Sequence, residues 1–218
     1  MPTIIKENYL KALLFLHQKD ATISLTELGK VMNVSKPTVN GMVKKLQVKG
    51  WVNYERYRPL SLTNEGKKQA ALVVRKHRLS EMFLFKIMGF GWEEVHDIAE
   101  ELEHIKSVDF FDRMDELLGF PTKDPHGSPI PDKKGNLVKS NYKLLSQIPS
   151  GSQVVMRGLR DSSSAFLLLL NKKELTLKTA IEINDVEVFD KTMTVSYAGF
   201  SKVLLSDSIT SRIFVELK

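Results

Sequence analysis

Cysteine is absent from all 218 residues. That excludes disulfides and thiolate metal sites, so nitrogen and oxygen donors are the expected ligands of any bound metal. Long apolar runs are also missing, since nothing approaches the roughly 20 residues needed to cross a bilayer. The opening Met1-Pro2-Thr3-Ile4-Ile5-Lys6 lacks the charged-then-apolar layout of a secretory signal. A cytoplasmic protein with no membrane partner is expected. Apolar content of 42% with 27% charged residues is ordinary globular composition. The length suits one large domain or two to three small ones.

What is present is unevenly placed. Residues 1–70 hold 12 Lys and Arg against 5 Asp and Glu, a balance of +7, whereas the remainder holds 20 against 21. A basic first third on a neutral body reads as an electrostatic footprint for nucleic acid, with a merely solvated basic face as the alternative.

The local pattern favours nucleic acid. Ile5, Tyr9, Ala12, Leu13 and Leu16 recur at helical spacing over residues 5–18. Ser24-Leu25-Thr26-Glu27 is a capping box that opens a short helix to about Met32. Asn33 and Val34 make a turn, Ser35 is placed to cap a third helix with Pro37 in its first turn, and Gly50 ends it. Two short helices across a tight turn are a helix-turn-helix. Residues 51–62 read as a β-hairpin with Arg56, Tyr57, Arg58 and Pro59 near its tip, which makes the motif winged. Ser35, Pro37, Thr38 and Asn40 would then face base edges, Asn40 being suited to adenine. Lys36, Lys44, Arg56 and Arg58 suit phosphates. The competing use of such a domain is protein contact.

Helical periodicity continues from Asn64 to about Met88, from Trp92 to Ile105 and from Val108 to Leu118. Residues 93–116 carry ten acidic and two basic side chains. Among them His96, Glu100, Glu103 and His104 share one helical stripe, opposite Val95, Ile98, Ala99, Leu102 and Ile105. His77 and Glu81, four apart, project together from the preceding helix. Imidazole beside carboxylate suits a divalent first-row metal. A solvated acidic face with incidental histidines is the bland alternative.

Three stretches, RKHRLSE at 75–81, EVHDIAEELEH at 94–104 and DPHGSPIP at 124–131, follow the winged helix in order. Together they resemble the diphtheria-toxin-repressor family, closely over residues 3–132 and loosely beyond. The resemblance implies a homodimeric, metal-dependent repressor of double-stranded, palindromic operator DNA, controlling metal-ion homeostasis, and not an enzyme. It implies one metal position built from Asn8, Glu100, Glu103 and His104, and another from His77, Glu81 and His96. Family members usually carry methionine or aspartate where Asn8 stands. Iron-responsive members often have cysteine where Glu100 stands, so the all-N/O set leans towards Mn²⁺ with Fe²⁺ as the alternative. A winged-helix regulator that answers to a non-metal signal is a rival. A metal hydrolase is a remote one, because no HExxH-like motif is present.

Residues 119–151 hold five of the eight prolines and read as a linker. Beyond it, Val154–Leu159, Ala180–Phe189, Met193–Tyr197 and Lys202–Leu205 read as strands, with a helix from Ser162 to Leu170 whose leucine run is core. The family's longer members append an SH3-like, FeoA-like domain here, which in some supplies oxygen ligands. Asp161 and Ser163 lie near that stretch, and neither is included in the expected ligand set. The expected fold is mainly α with β. It divides into a winged helix-turn-helix (1–70), a helical metal-binding and dimerisation domain with a Pro/Gly-rich tail (71–138), and an SH3-like small β-barrel (139–218).

Overall fold

The computed structural model describes all residues except 1–3, 20, 21, 57 and 139, and of Lys19 only the backbone. Tyr57, expected at the wing tip, therefore lies outside the described residues. The chain divides into two compact units. The first comprises Met1–Phe83, Asp97–Thr122 and Ile130–Val138, and the second Leu84–His96, Lys123–Pro129 and Lys139–Lys218.

In the first unit α1 (Ile4–Lys19), α2 (Leu25–Met32) and α3 (Lys36–Val48) precede a two-stranded hairpin of β1 (Val52–Asn53) and β2 (Ser61–Leu62). Antiparallel pairing of Val52 with Leu62 puts both side chains into one core, with Leu10, Leu13, Leu28, Val39, Val43 and Leu46. The capping box at Ser24 forms as expected: its hydroxyl accepts from Glu27 N–H at 3.1 Å while Glu27 returns to Ser24 N–H. Ser35 differs. It occupies the N-cap position, but its hydroxyl bonds Thr38 Oγ1 at 2.9 Å instead of capping a backbone N–H. The first helix also differs in its buried face. Tyr9, Ala12 and Leu13 are buried with Leu10 and Leu14, whereas Ile5 is exposed.

Helix α4 (Asn64–Lys86) leaves the hairpin directly. Thr63 Oγ1 donates to Gly50 C=O and accepts from Gly66 N–H, which fixes the helix start. A Cβ on Gly66 would lie 1.9 Å from the Trp51 carbonyl oxygen, so glycine lets α4 begin against the hairpin. Helices α5 (Val95–Leu102) and α6 (Val108–Leu117) follow. Phe111, Met114 and Leu118 pack with Leu79 of α4 and with Ile130. Arg75 ties α4 to α6 through Asp115 at 2.6 Å and reaches the Pro131 carbonyl at 2.7 Å.

The second unit is built on a six-stranded antiparallel sheet. Its strands are β3 (Lys143–Leu144), β4 (Gln153–Leu159), β5 (Ala180–Val186), β6 (Met193–Tyr197), β7 (Phe200–Leu205) and β8 (Ile213–Leu217). The order across the sheet is β3-β8-β4-β5-β6-β7. Helix α7 (Ser164–Lys172) covers the core with Phe166, Leu167 and Leu170, and α8 (Asp207–Thr210) adds Ile209. The leucine run is only half core, since Leu168 and Leu169 are exposed. Trp92 also belongs to this core, and its indole N–H donates to Asn171 Oδ1 at 2.7 Å. Hence α5 starts at Val95 rather than at Trp92. Among the described residues no helix is long and apolar enough to cross a membrane.

Candidate metal centre and nucleic-acid interface

The acidic stretch that runs through α5 is solvated only in part. Glu103, directly after the helix, is fully buried, and the groups around it are charged. A carboxylate taken out of water is costly unless cations or hydrogen-bond donors surround it. Here Lys11 of α1 reaches both Glu103 oxygens at 2.9 Å, and His77 Nδ1 of α4 donates to Glu103 Oε2 at 2.6 Å. The Lys11 ammonium also donates to Glu100 Oε2 at 2.5 Å.

His77 sits between two carboxylates, with Nε2 donating to Glu81 at 3.1 Å. Burial, the largest single influence on the ring, favours its neutral form. The hydrogen bonds to Glu103 and Glu81, helped by the Glu81 charge, outweigh it and raise the pKa to about 9. His104 Nδ1 donates to Glu7 Oε2 of α1 at 2.7 Å, and Lys76 approaches the other Glu7 oxygen at 3.6 Å.

The structure thus gathers Glu100, Glu103 and His77, with one ligand-capable atom of each lying within 4.8 Å of the others. His77 therefore touches both expected groups, Glu103 through Nδ1 and Glu81 through Nε2. Glu81 enters the first unit's cluster through His77, while His96 belongs to the second unit.

Asn8 needs separate notice. Its Oδ1 is buried and accepts no hydrogen bond, a rare state for an amide oxygen. It lies one helical turn before Lys11, whose ammonium meets Glu100 and Glu103. An orphaned amide oxygen on the helix that carries Lys11, in a chain without cysteine, adds an oxygen donor suited to a hard or borderline divalent ion.

Two residues of this centre, Glu7 and Lys11, were not among the expected ligands. Their spacing with Asn8, at one, three and four residues, marks a polar face on α1. That face is legible only once the helix is scanned for what it presents opposite its apolar stripe.

In the second unit, Asp124 and His126 are buried and also fall outside the expected set. Asp124 Oδ1 accepts from the N–H groups of His126 and Ser128, both at 2.9 Å. His126 Nε2 donates to the Trp92 carbonyl at 2.7 Å, and the ring stacks on Trp92. Because a carbonyl oxygen only accepts, that bond places a proton on Nε2. Asp161 holds Ser163 N–H and Arg212 instead.

The winged helix presents its expected reading groups outward. Ser35, Lys36, Pro37 and Thr38 at the start of α3 are exposed, as are Lys44, Arg56 and Arg58. Arg58 pairs with Glu55 at 3.1 Å across the hairpin tip. Asn40 is half-buried, and Tyr54 Oη donates to its Oδ1 at 2.9 Å, which holds the amide in place.

A winged helix-turn-helix beside a buried N/O cluster defines a DNA-binding regulator with a metal centre. Comparison with known proteins gives the family. Residues 3–60 match the iron-dependent repressor N-terminal DNA-binding domain. Residues 63–132 match the metal-binding and dimerisation domain of the same repressors, and 143–217 match the FeoA domain. The iron-dependent repressor IdeR of Mycobacterium tuberculosis is 30% identical, over 96% of each chain. The diphtheria toxin repressor of Corynebacterium glutamicum is 34% identical over 76% of this chain and 71% of its own. A solved manganese-dependent transcriptional repressor in complex with manganese superposes with a TM-score of 0.87. It is 28% identical, covering 98% of this chain and all of the other. The manganese-activated repressor ScaR in its apo form gives a TM-score of 0.81 at 31% identity, over 96% and 99% of the two chains. The chain belongs to the diphtheria-toxin-repressor family of metal-dependent transcriptional repressors.

Proposed function

We propose that this repressor is Mn²⁺-responsive, binds a palindromic operator as a homodimer and controls metal-ion homeostasis from the cytoplasm. The observation that carries the metal assignment is the donor set. Glu100 stands where a sulfur ligand would favour Fe²⁺, and every nearby donor is oxygen or imidazole nitrogen. Fe²⁺ is the second reading, favoured by the iron-dependent names of the sequence relatives.

The ligands we assign are Asn8, Glu100, Glu103 and His104, with His77 shared through Glu103. His77, Glu81 and His96 make up the other position. When bound, a divalent ion supplies positive charge and a common ligand shell where α1 meets α5. Asn8 and Glu7 bring α1 to that point, and α1 packs on α2, which carries α3. Fixing α1 therefore fixes the reading helix. In a dimer, that sets the separation of two reading helices to one operator spacing.

The division of labour follows. Residues 1–70 read DNA, 71–138 bind metal and dimerise, and 139–218 form the SH3-like domain. Exposed Val108 and Leu117 of α6 lie within the stretch matched to dimerisation and suit the subunit contact. Bases are read by Ser35, Pro37, Thr38 and Asn40, and phosphates are held by Lys36, Lys44, Arg56 and Arg58. The test is operator affinity at fixed ionic strength with Mn²⁺, Fe²⁺, Zn²⁺ or no metal. Activation at lower free Mn²⁺ than Fe²⁺ supports the assignment; the reverse order assigns the protein to iron. Equal affinity with and without metal points to a non-metal signal.

A further inference from the structure

The metal reading leaves Lys11 unexplained. An ammonium has three N–H donors, and here its nitrogen lies within hydrogen-bond distance of three carboxylate oxygens: Glu100 Oε2 at 2.5 Å and both oxygens of Glu103 at 2.9 Å. These two glutamates belong to the cluster assigned to the ion. A cation sharing three oxygens of two carboxylates stands where a divalent ion bound by the same oxygens would stand. Both cannot be accommodated, because two cations on the same oxygens would overlap in space and repel as like charges.

Building on that metal-centre reading, we propose that Lys11 is an internal competitor for the metal: its ammonium holds Glu100 and Glu103 in the metal-free protein and must leave for a divalent ion to bind. The residue suits that role. Lysine is a compact point charge on a flexible four-carbon stem, without the rigid fork by which arginine locks a carboxylate. The Lys11 side chain retains 22% exposure and Glu100 38%, so a route to solvent exists, whereas Glu103 has none. Lys76, the other nearby lysine, approaches Glu7 at 3.6 Å.

Two consequences distinguish a competitor from an ordinary structural ion pair. The competitor stabilises the metal-free protein, so removing its charge lowers stability without metal. It also opposes metal, so the same change tightens metal binding. A purely structural pair would lose stability and metal affinity together.

The experiment uses the full-length dimer. Mn²⁺ affinity is measured by calorimetry, and the melting temperature of the metal-free protein is recorded, for wild type, Lys11→Met and Lys11→Arg. Lys11→Met keeps the length of the stem and removes the charge. We expect its metal-free melting temperature to fall and its Mn²⁺ affinity to rise by about 10- to 100-fold, the scale of one or two charge-assisted hydrogen bonds. Lys11→Arg keeps the charge and should bind Mn²⁺ no more tightly than wild type. If Lys11→Met does not fold, Lys11→Gln, which retains a hydrogen-bonding end, takes its place with the same expected direction. Unchanged or weaker Mn²⁺ binding in the neutral variant overturns the proposal alone. Absence of binding in wild type and variants alike overturns the metal centre and the competitor with it.

Discussion

Raising the pH of the metal-free protein should remove a defined part of its stability through His77. The imidazolium donates to Glu103 at 2.6 Å and to Glu81 at 3.1 Å, and its pKa is raised from 6.5 to about 9. A group whose folded pKa lies above its unfolded value stabilises the fold while it is protonated in both states or in the folded state alone. The contribution is therefore complete below about pH 6.5 and fades as pH climbs through about 9. The difference corresponds to roughly 3 kcal/mol at most. For a unit of this size that is a fall of order 10 °C in melting temperature.

Lysines and tyrosines also titrate at alkaline pH, so the informative quantity is a comparison. His77→Gln keeps a hydrogen-bonding end without the proton. It should be less stable than wild type at pH 6 and should converge on it by pH 10. Urea or thermal midpoints recorded in chelator at several pH values give the curve. A gap between the two proteins that stays constant from pH 6 to pH 10 would refute a protonated His77 between the two glutamates.

Other outcomes follow from single residues. Asn8→Ala should weaken Mn²⁺ activation of DNA binding and leave metal-independent binding alone, while Asn8→Asp should retain or tighten metal binding by adding charge; a wild-type metal response in the alanine variant removes Asn8 from the ligand set. Arg58→Ala should weaken binding to all DNA sequences alike and flatten the salt dependence by about one charge, even after allowance for the exposed Glu55 partner. An unchanged slope takes Arg58 off the phosphate list. Arg75→Ala should cost about 3–5 kcal/mol in urea unfolding, because Asp115 is buried and would lose its cation. A loss below about 1 kcal/mol would mean that water or another side chain serves Asp115.

The helix-turn-helix was legible because its signals are local: a capping box, a turn at Asn33 and a proline in the first turn of α3. The metal centre was legible in part. His77, Glu100, Glu103 and His104 stood out by residue type and by helical spacing. The bond from His77 to Glu103 did not, because it joins residues 26 apart, one on α4 and one just past α5, and no spacing rule encodes which elements meet. Glu7 and Lys11 were hidden for the same reason, their partners lying about 90 residues away. A solvated face was the alternative for the acidic residues of α5, and it fails at Glu103, whose burial depends on cations contributed by α1 and α4. In the sheet, β8 was missed because Ile213–Leu217 follows α8 without a hairpin turn signal and pairs instead with β4 and β3.

Loss of a folded protein and loss of a metal response must be kept apart in any test of the central claim. Glu103→Gln removes an acceptor that both Lys11 and His77 use, so a lower melting temperature is expected along with any change in function. Glu100 is more exposed and bonds Lys11 at the edge of the cluster, which makes Glu100→Gln the cleaner change. The direct measurement is operator affinity of the wild-type dimer and of Glu100→Gln combined with His104→Ala, titrated with Mn²⁺ at constant ionic strength, with folding and dimerisation verified on the same samples. The account predicts that Mn²⁺ raises wild-type affinity by at least about tenfold, equivalent to 1.4 kcal/mol of coupling, while the variant keeps only weak, metal-independent binding through its basic first third. Operator binding by the variant that still rises with Mn²⁺ as in wild type would contradict it and move the switch to His77, Glu81 and His96.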